Sequence, residues 1–323
     1  MWALGTFIRA DATPAPARPF PGLVLDGDQI IDLAGYGWET TRDVLRGWSR
    51  SVEVLDHLAT DGDAVGAIAL EQLAVLPPIA PEQVLQSGAN YRKHVIDIIV
   101  AEELERGAMS EAQAREMGVK VMDERVAAGE PYVFLGAVSA ICGPYDDVVL
   151  PARGAQHDWE LELAAVIGTG GRHIAREQAL DHVAGYTIAN DLTTRDLVYR
   201  RDLDAIGTDW LRAKNAPTFL PLGPWIVPAR FVSDPQDLTI TLSVSGTVMQ
   251  DESTSDMIFD VATLISYAST LVTLSPGDLV LTGSPAGNGM HHRRFLTDGD
   301  VMEGAISGLG AQRNRCVSER RPA

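Results

Sequence analysis

The sequence has little with which to brace itself covalently: among 323 residues there are two cysteines, Cys142 and Cys316, and no CxxC pair. That excludes a disulfide framework and a thiolate metal site, and it fits a reducing cytoplasm. Positive charge is scarce as well. Twenty-six Lys and Arg stand against 44 Asp and Glu, a formal net charge of −18, which argues against nucleic acid or an anionic membrane as partner, since both attract basic surfaces. An anionic substrate must then be held by a local basic cluster. No apolar run approaches a membrane span, and the opening MWALGTFIRA, broken by Arg9 and without a basic start, reads poorly as a signal peptide. The expectation is a soluble, cytoplasmic protein. GxSxG, HExxH and P-loop patterns are missing, as is any GxGxxG between a strand and a helix, so the familiar single-motif readings do not apply.

What is there is a chain 46% hydrophobic, enough to bury a large core. Residues 1–80 hold a proline-rich stretch, DATPAPARPFPG, a strand-like LVLDGDQIIDLA with a DGD turn, and helical patterns around TTRDVLRGW and SVEVLDHLAT. Prolines at 77, 78 and 81 then stop regular structure. This predicts a small N-terminal domain over 1–80 and a larger domain over 81–323. The larger part reads mostly as β-strand, interrupted by helical residues 95–128, where Ser110 and Gln113 have the spacing of a capping box. That charged segment suits either a solvated helix pair or a mobile cover over a site. DGD recurs at Asp26, Asp61 and Asp298 without repeated flanks, as turn chemistry.

Five stretches carry polar residues where apolar ones would continue. In DWELELAAVIG, alternation puts Asp158, Glu160 and Glu162 on one side of a strand and Trp159, Leu161 and Leu163 on the other. Carboxylates about 7 Å apart along such a strand either face water from a sheet edge or, half-buried, raise one another's pKa or need a cation such as Mg²⁺, Mn²⁺ or Ca²⁺. In GYTIANDLTTRD, Asn190 and Asp191 end a strand, as a turn or as the source of a third carboxylate. In NYRKHVID, a helix starting near Tyr91 sets His94 and Asp97 three apart on one face, where the acid can orient the imidazole. Lys214 stands alone before an apolar run, a pattern common in solvated loops. LSPGDLVLTGSPAGNG offers a turn, a buried strand and a glycine-rich loop whose amides and Thr282 hydroxyl can contact a carboxylate. His291 and His292 are adjacent, cannot chelate from one face, and read as loop residues.

Taken in order, GANYRKH, DWELELAAVIG, AGYTIANDLTTRD, KNAPTFLPLGPWIV, LSPGDLVLTGSPAG and GLGAQRN resemble the fumarylacetoacetate hydrolase family over roughly residues 84–316. The resemblance implies an α+β, mainly β fold: a mixed β-sandwich or β-roll catalytic domain behind a small N-terminal α/β domain, assembled as a homodimer. It implies that Glu160, Glu162 and Asp191 bind Mg²⁺ or Mn²⁺, with Ca²⁺ as a further possibility. His94 with Asp97 then match the catalytic dyad on a segment that orders over substrate, and Lys214 the active-site lysine. Tyr91, Arg195, Thr282 and Gly283 match substrate-binding positions. Val198, Gly136 and Ser284 depart from the family pattern, and Asp97 replaces the usual Glu. The polar groups missing at Val198 and Gly136 point to a substrate with a different distal part, and the shorter Asp97 bears on its reach to His94.

The chemistry so implied is metal-dependent hydrolysis of a carbon–carbon bond in a small anionic acylpyruvate or related 1,3-dicarbonyl or 2-oxo acid, with His94 taking a proton from water. Tautomerisation, isomerisation or decarboxylation of a 2-oxo acid starts from the same enolate and is the alternative. A third reading, of another class, is a non-catalytic protein that keeps the metal site and binds a small acid. The His94 and Asp97 pair and the long helical insertion favour hydrolysis.

Overall fold

The computed structural model describes residues 1–10, 18–60, 66–107, 109–203, 205 and 207–320. Most of the proline-rich stretch, at 11–17, and the DGD at Asp61 lie outside the described residues. A first sheet draws all five of its strands from the N-terminal part, in the order Ile68–Ala69, Gln29–Asp32, Phe20–Leu25, Trp2–Arg9 and Leu73–Leu76. The DGD at Asp26 makes one hairpin of it: Asp26 and Gly27 both take left-handed backbone, with φ of 49° and 85°, which a short antiparallel connection requires. Two helices follow, Thr41–Arg46 and Trp48–Thr60, the first started by a capping box between Thr40 and Asp43.

The prolines at 77, 78 and 81 separate Leu76, which ends this sheet, from Val84, which opens a strand of the next. Packing does not stop there. Trp2, Leu4, Leu23, Leu45 and Leu55 share one apolar cluster with Val84, Ala164, Val166 and Leu281, so the N-terminal sheet and its helices are seated on the larger part through a common core.

A six-stranded mixed sheet runs Val227–Pro228, Val183–Asn190, Leu161–Ile167, Leu279–Leu281, Val84–Gly88 and Tyr132–Gly136. All seven residues of Leu161–Ile167 are buried. Leu161, Leu163, Ala165 and Ile167 enter one core cluster while Ala164 and Val166 enter the other, the period-two signature of a strand covered on both faces. On the first of those faces lies a second five-stranded sheet, Thr247–Ser253, Thr239–Val244, Val301–Ile306, Gly310–Ser318 and Val148–Leu150. The approach is close enough that a Cβ on Gly304 would come within 2.7 Å of the Leu161 side chain. This is the mixed, mainly β architecture with peripheral helices that the motifs imply.

Residues 95–128 are helical as the pattern predicts, in two pieces. Arg92–Arg106 starts after Tyr91 and ends at Gly107 with φ 65°, and Glu111–Ala128 is capped by Ser110 and Gln113 in a complete capping box. Their own apolar cluster is small: Ile96, Val100, Ala114 and Met122.

Candidate active site

The acidic row arises from the pairing of two strands. Leu161–Ile167 runs antiparallel to Val183–Asn190 with Leu161 opposite Asn190 and Glu162 opposite Ala189. Just beyond the ladder, the Asp191 amide donates to the Glu160 carbonyl at 2.9 Å and the Glu160 amide donates to Asn190 Oδ1 at 2.9 Å. The Asn-Asp pair is therefore an extension of the strand clamped to the acidic segment. It carries Asp191 to Glu160 and Glu162. One oxygen from each of these three buried carboxylates lies within 4.8 Å of the others.

Each carboxylate has a different set of partners. Lys214 ends the short helix Trp210–Lys214 and is buried, unlike the solvated lysine its sequence context allows. Its ammonium donates to Glu160 Oε2 at 2.6 Å, Asp191 Oδ2 at 2.7 Å and the Asp191 carbonyl at 3.1 Å. Arg195 donates to Asp158 Oδ2 at 2.8 Å and also to Glu160. Glu162 accepts from the Gly283 amide at 2.8 Å and meets neither cation. Gly283 has φ of 87°, backbone that a side chain would strain, so glycine keeps that amide aimed at Glu162.

These partners set the charge states. Burial pushes the Glu162 carboxyl well above its ordinary range, and Asp191 adds to the rise. Burial also raises Asp191, with Lys214 opposing. Glu160 is equally buried, yet Arg195 and Lys214 outweigh the desolvation and hold it below the usual carboxylate range. His94 is brought down to about 4 by burial, so its imidazole is neutral.

The donor set fits a hard divalent cation. With all of them ionised, the four buried carboxylates Asp158, Glu160, Glu162 and Asp191 would exceed the two buried cations, Arg195 and Lys214, by two negative charges, which one divalent ion would cancel. Gln86 donates to Asp191 Oδ1 at 2.6 Å while its own Oε1, fully buried, has no hydrogen-bond partner among the described residues. Oxygen-only donors of this kind suit Mg²⁺ or Mn²⁺.

Other predicted residues are placed differently. Asp97 makes no hydrogen bond to His94 in this structure. It pairs with Arg115 at 3.4 Å and His291 Nδ1 at 3.6 Å, while His94 Nδ1 meets Asn288 Nδ2 at 3.3 Å. Being three apart on one helix turn brings two residues near each other without aiming one at the other, and longer-range partners decide the aim. His291 and His292 are not loop residues: they end the short helix Gly289–His292, with His292 Nε2 against the Met249 carbonyl at 3.0 Å. The Thr282 hydroxyl is committed to the Leu163 carbonyl at 2.9 Å, so it bonds the strand. Tyr91 is buried at the start of the helix Arg92–Arg106, its hydroxyl pushed upward by burial.

The three departures have local causes or places. A Cβ on Gly136 would sit 2.7 Å from Gln86 Oε1, so glycine there leaves room for the Gln86 that serves Asp191. Ser284 accepts from Gln250 at 3.0 Å in the core, and Val198 is buried. Residues the sequence did not single out for the site include Gln86, Asn288 and Asp158, the last also accepting from the Gly289 amide at 2.5 Å. Asp158 was visible as the first member of the acidic row; Gln86 and Asn288 had no signal beyond being polar residues in apolar or glycine-rich runs.

The family model described as "Fumarylacetoacetate (FAA) hydrolase C-terminal" matches residues 83–317. The mitochondrial oxaloacetate tautomerase FAHD2A of Bos taurus is 37% identical over 316 residues, covering 94% of this chain and 89% of that protein. A 2,4-didehydro-3-deoxy-L-rhamnonate hydrolase of Sphingomonas sp. strain SKA58 is 47% identical over 195 residues, 59% of this chain and 66% of the relative's length. Among solved structures, maleylpyruvate hydrolase from Sphingobium sp. SYK-6, in complex with manganese(II) and pyruvate, superposes with a TM-score of 0.72 at 27% identity, covering 98% of this chain and all of the other. With its buried acidic triad and this extent of similarity, the chain belongs to the fumarylacetoacetate hydrolase family.

Proposed function

We propose that this protein is a divalent-metal-dependent enzyme that interconverts the keto and enol forms of a small 2-oxo acid. The observation that carries the proposal is the buried trio Glu160, Glu162 and Asp191, whose oxygens can meet around one ion beside Lys214. These three residues would hold the metal, and Mg²⁺ or Mn²⁺ would polarise a carbonyl there. Lys214 and Arg195 keep positive charge fixed in a dry site, where it stabilises the negative charge of an enolate far more than it would in water. His94, neutral and within the field of Glu160, Arg195 and Lys214, offers an imidazole to the reacting oxygen. Similarity over 94% of the chain to a protein named oxaloacetate tautomerase supports this reading.

Hydrolytic cleavage of a carbon–carbon bond in an acylpyruvate is the second reading. It is favoured by the similarities to the Sphingomonas and Sphingobium hydrolases. It needs a base to activate water. Of the two sequence features that favour it, the long helical insertion is present as Arg92–Arg106 and Glu111–Ala128, whereas Asp97 of the His94 and Asp97 pair lies against Arg115 and His291.

One assay separates the readings: enol absorbance and product release followed together on oxaloacetate and on an acylpyruvate, with Mg²⁺ or Mn²⁺. Accelerated loss of enol absorbance without a new carboxylic acid is the expected result. Stoichiometric release of pyruvate and a second acid would establish hydrolysis instead. No acceleration with any 1,3-dicarbonyl or 2-oxo acid would leave only a metal and small-acid binding protein.

A further inference from the structure

We propose that Asn288 is a positioning residue that fixes His94 as its Nε2–H tautomer, so that the imidazole presents a hydrogen-bond donor rather than a base to the acidic cluster. The inference rests on the enolising reading for its catalytic meaning and on geometry alone for the tautomer. Asn288 is buried at the start of the helix Gly289–His292. Its side-chain oxygen is already used, accepting from the His291 backbone amide at 3.3 Å, as an N-cap residue does. That bond turns the amide so that its NH₂ faces His94 Nδ1, also at 3.3 Å.

An amide NH₂ carries only protons to share. Nδ1 must therefore supply its lone pair, and in a neutral ring the single proton then sits on Nε2. Among the described residues Asn288 is the hydrogen-bond partner of the ring: Asp97, three residues along, lies against Arg115 at 3.4 Å and His291 Nδ1 at 3.6 Å, and Nε2 makes no hydrogen bond. Glu160, Arg195 and Lys214 all act on His94, as does His291, which places the ring within the field of the cluster.

A neutral imidazole of this tautomer donates a hydrogen bond to a substrate oxygen and keeps its proton, since Asn288 has none to give Nδ1 in return. Its effect is to stabilise an oxyanion as charge develops on it. To accept a proton from water at Nε2, the ring needs its proton on Nδ1. Asn288 must then turn its oxygen toward the ring and surrender the bond to His291. The same asparagine thus sets the helix cap and biases the site toward enolisation over water activation.

Histidine-labelled protein, with and without Mg²⁺, reports the tautomer directly through long-range proton–nitrogen NMR, His94 being identified by its absence in His94→Gln. The expected wild-type pattern is a protonated Nε2 and a lone pair on Nδ1. Asn288→Asp keeps an oxygen to cap His291 but removes the donor. It is expected to protonate Nδ1, with kcat for enolisation falling by about 10²-fold and KM changing less than about twofold. A protonated Nδ1 in the wild type, or an unchanged tautomer in Asn288→Asp, overturns the inference. If Asn288→Asp does not fold, the wild-type spectrum decides by itself. A wild-type protein with protonated Nε2 that turns over no 2-oxo acid upholds the role of Asn288 and removes the proposed function instead.

Discussion

The floor of the site and the helices above it are held by different physics. Leu161–Ile167 lies between strands on both sides, contributes side chains to both large core clusters, and has no exposed residue. The helices Arg92–Arg106 and Glu111–Ala128 bury only Ile96, Val100, Ala114 and Met122 as an apolar cluster of their own. Their ion pairs, Arg92 with Asp123 and Arg115 with Asp97, are partly in water and of the kind worth at most about 1 kcal/mol. Carboxylates can be forced together only where the surrounding backbone cannot relax. With so small a core of their own, these two helices belong to the low-stability end of the molecule. The acids therefore sit on the sheet and His94 on the helix.

The largest expected effect is on the floor. Glu162→Ala should lower Mg²⁺ affinity by more than the roughly 10–100-fold that a ligand's supporting partner is worth, read by titration calorimetry; unchanged affinity would break the assignment of the acidic trio. Next is the contrast in packing. Leu163→Ala should cost about 2–5 kcal/mol in urea unfolding, because Leu163 is fully buried in the larger core cluster. Met122→Ala should instead speed hydrogen exchange across the two helices while leaving the global midpoint nearly in place. Equal global losses would mean that the sheet and the helix pair unfold as one unit.

A pH experiment sharpens the same comparison. Glu162 has its pKa raised well above 4.5 in the fold by burial and Asp191. A carboxyl with a raised folded pKa destabilises the fold progressively as pH climbs above the unfolded value, and has no such cost below it. Metal-free Glu162→Gln should thus be more stable than the parent near neutral pH, with the gain vanishing below about pH 4.5; a gain that persists in acid would mean packing rather than charge. The smallest effect is expected at the Ser110 cap of the second helix. Ser110→Ala removes the side chain that accepts from the Gln113 amide and should cost about 1 kcal/mol, seen as faster exchange in the first turn of Glu111–Ala128 alone.

Legibility followed the range of the interaction. The acidic row, the helix pair and its Ser110 cap were readable because alternation and capping are written within a few residues. The burial of Lys214 was not, because a lone lysine before an apolar run looks the same whether it meets water or two carboxylates. The neighbours of these two residues are not legible for a related reason: His94 and Asp97 share a helix turn, yet His94 takes its partner 194 residues away, at Asn288.

By itself the sequence determined which residue types alternate, where helices start, and that neither thiolates nor surface basic charge would do the chemistry. These depend on local backbone geometry and on composition. Only the tertiary structure decided that Asp191 reaches Glu160 and Glu162, that Gln86 fills the space beside Gly136, and that His94 faces an amide instead of an acid. Each is a contact between segments far apart in the chain, and the free energy of burying a charge depends on what the rest of the fold brings against it.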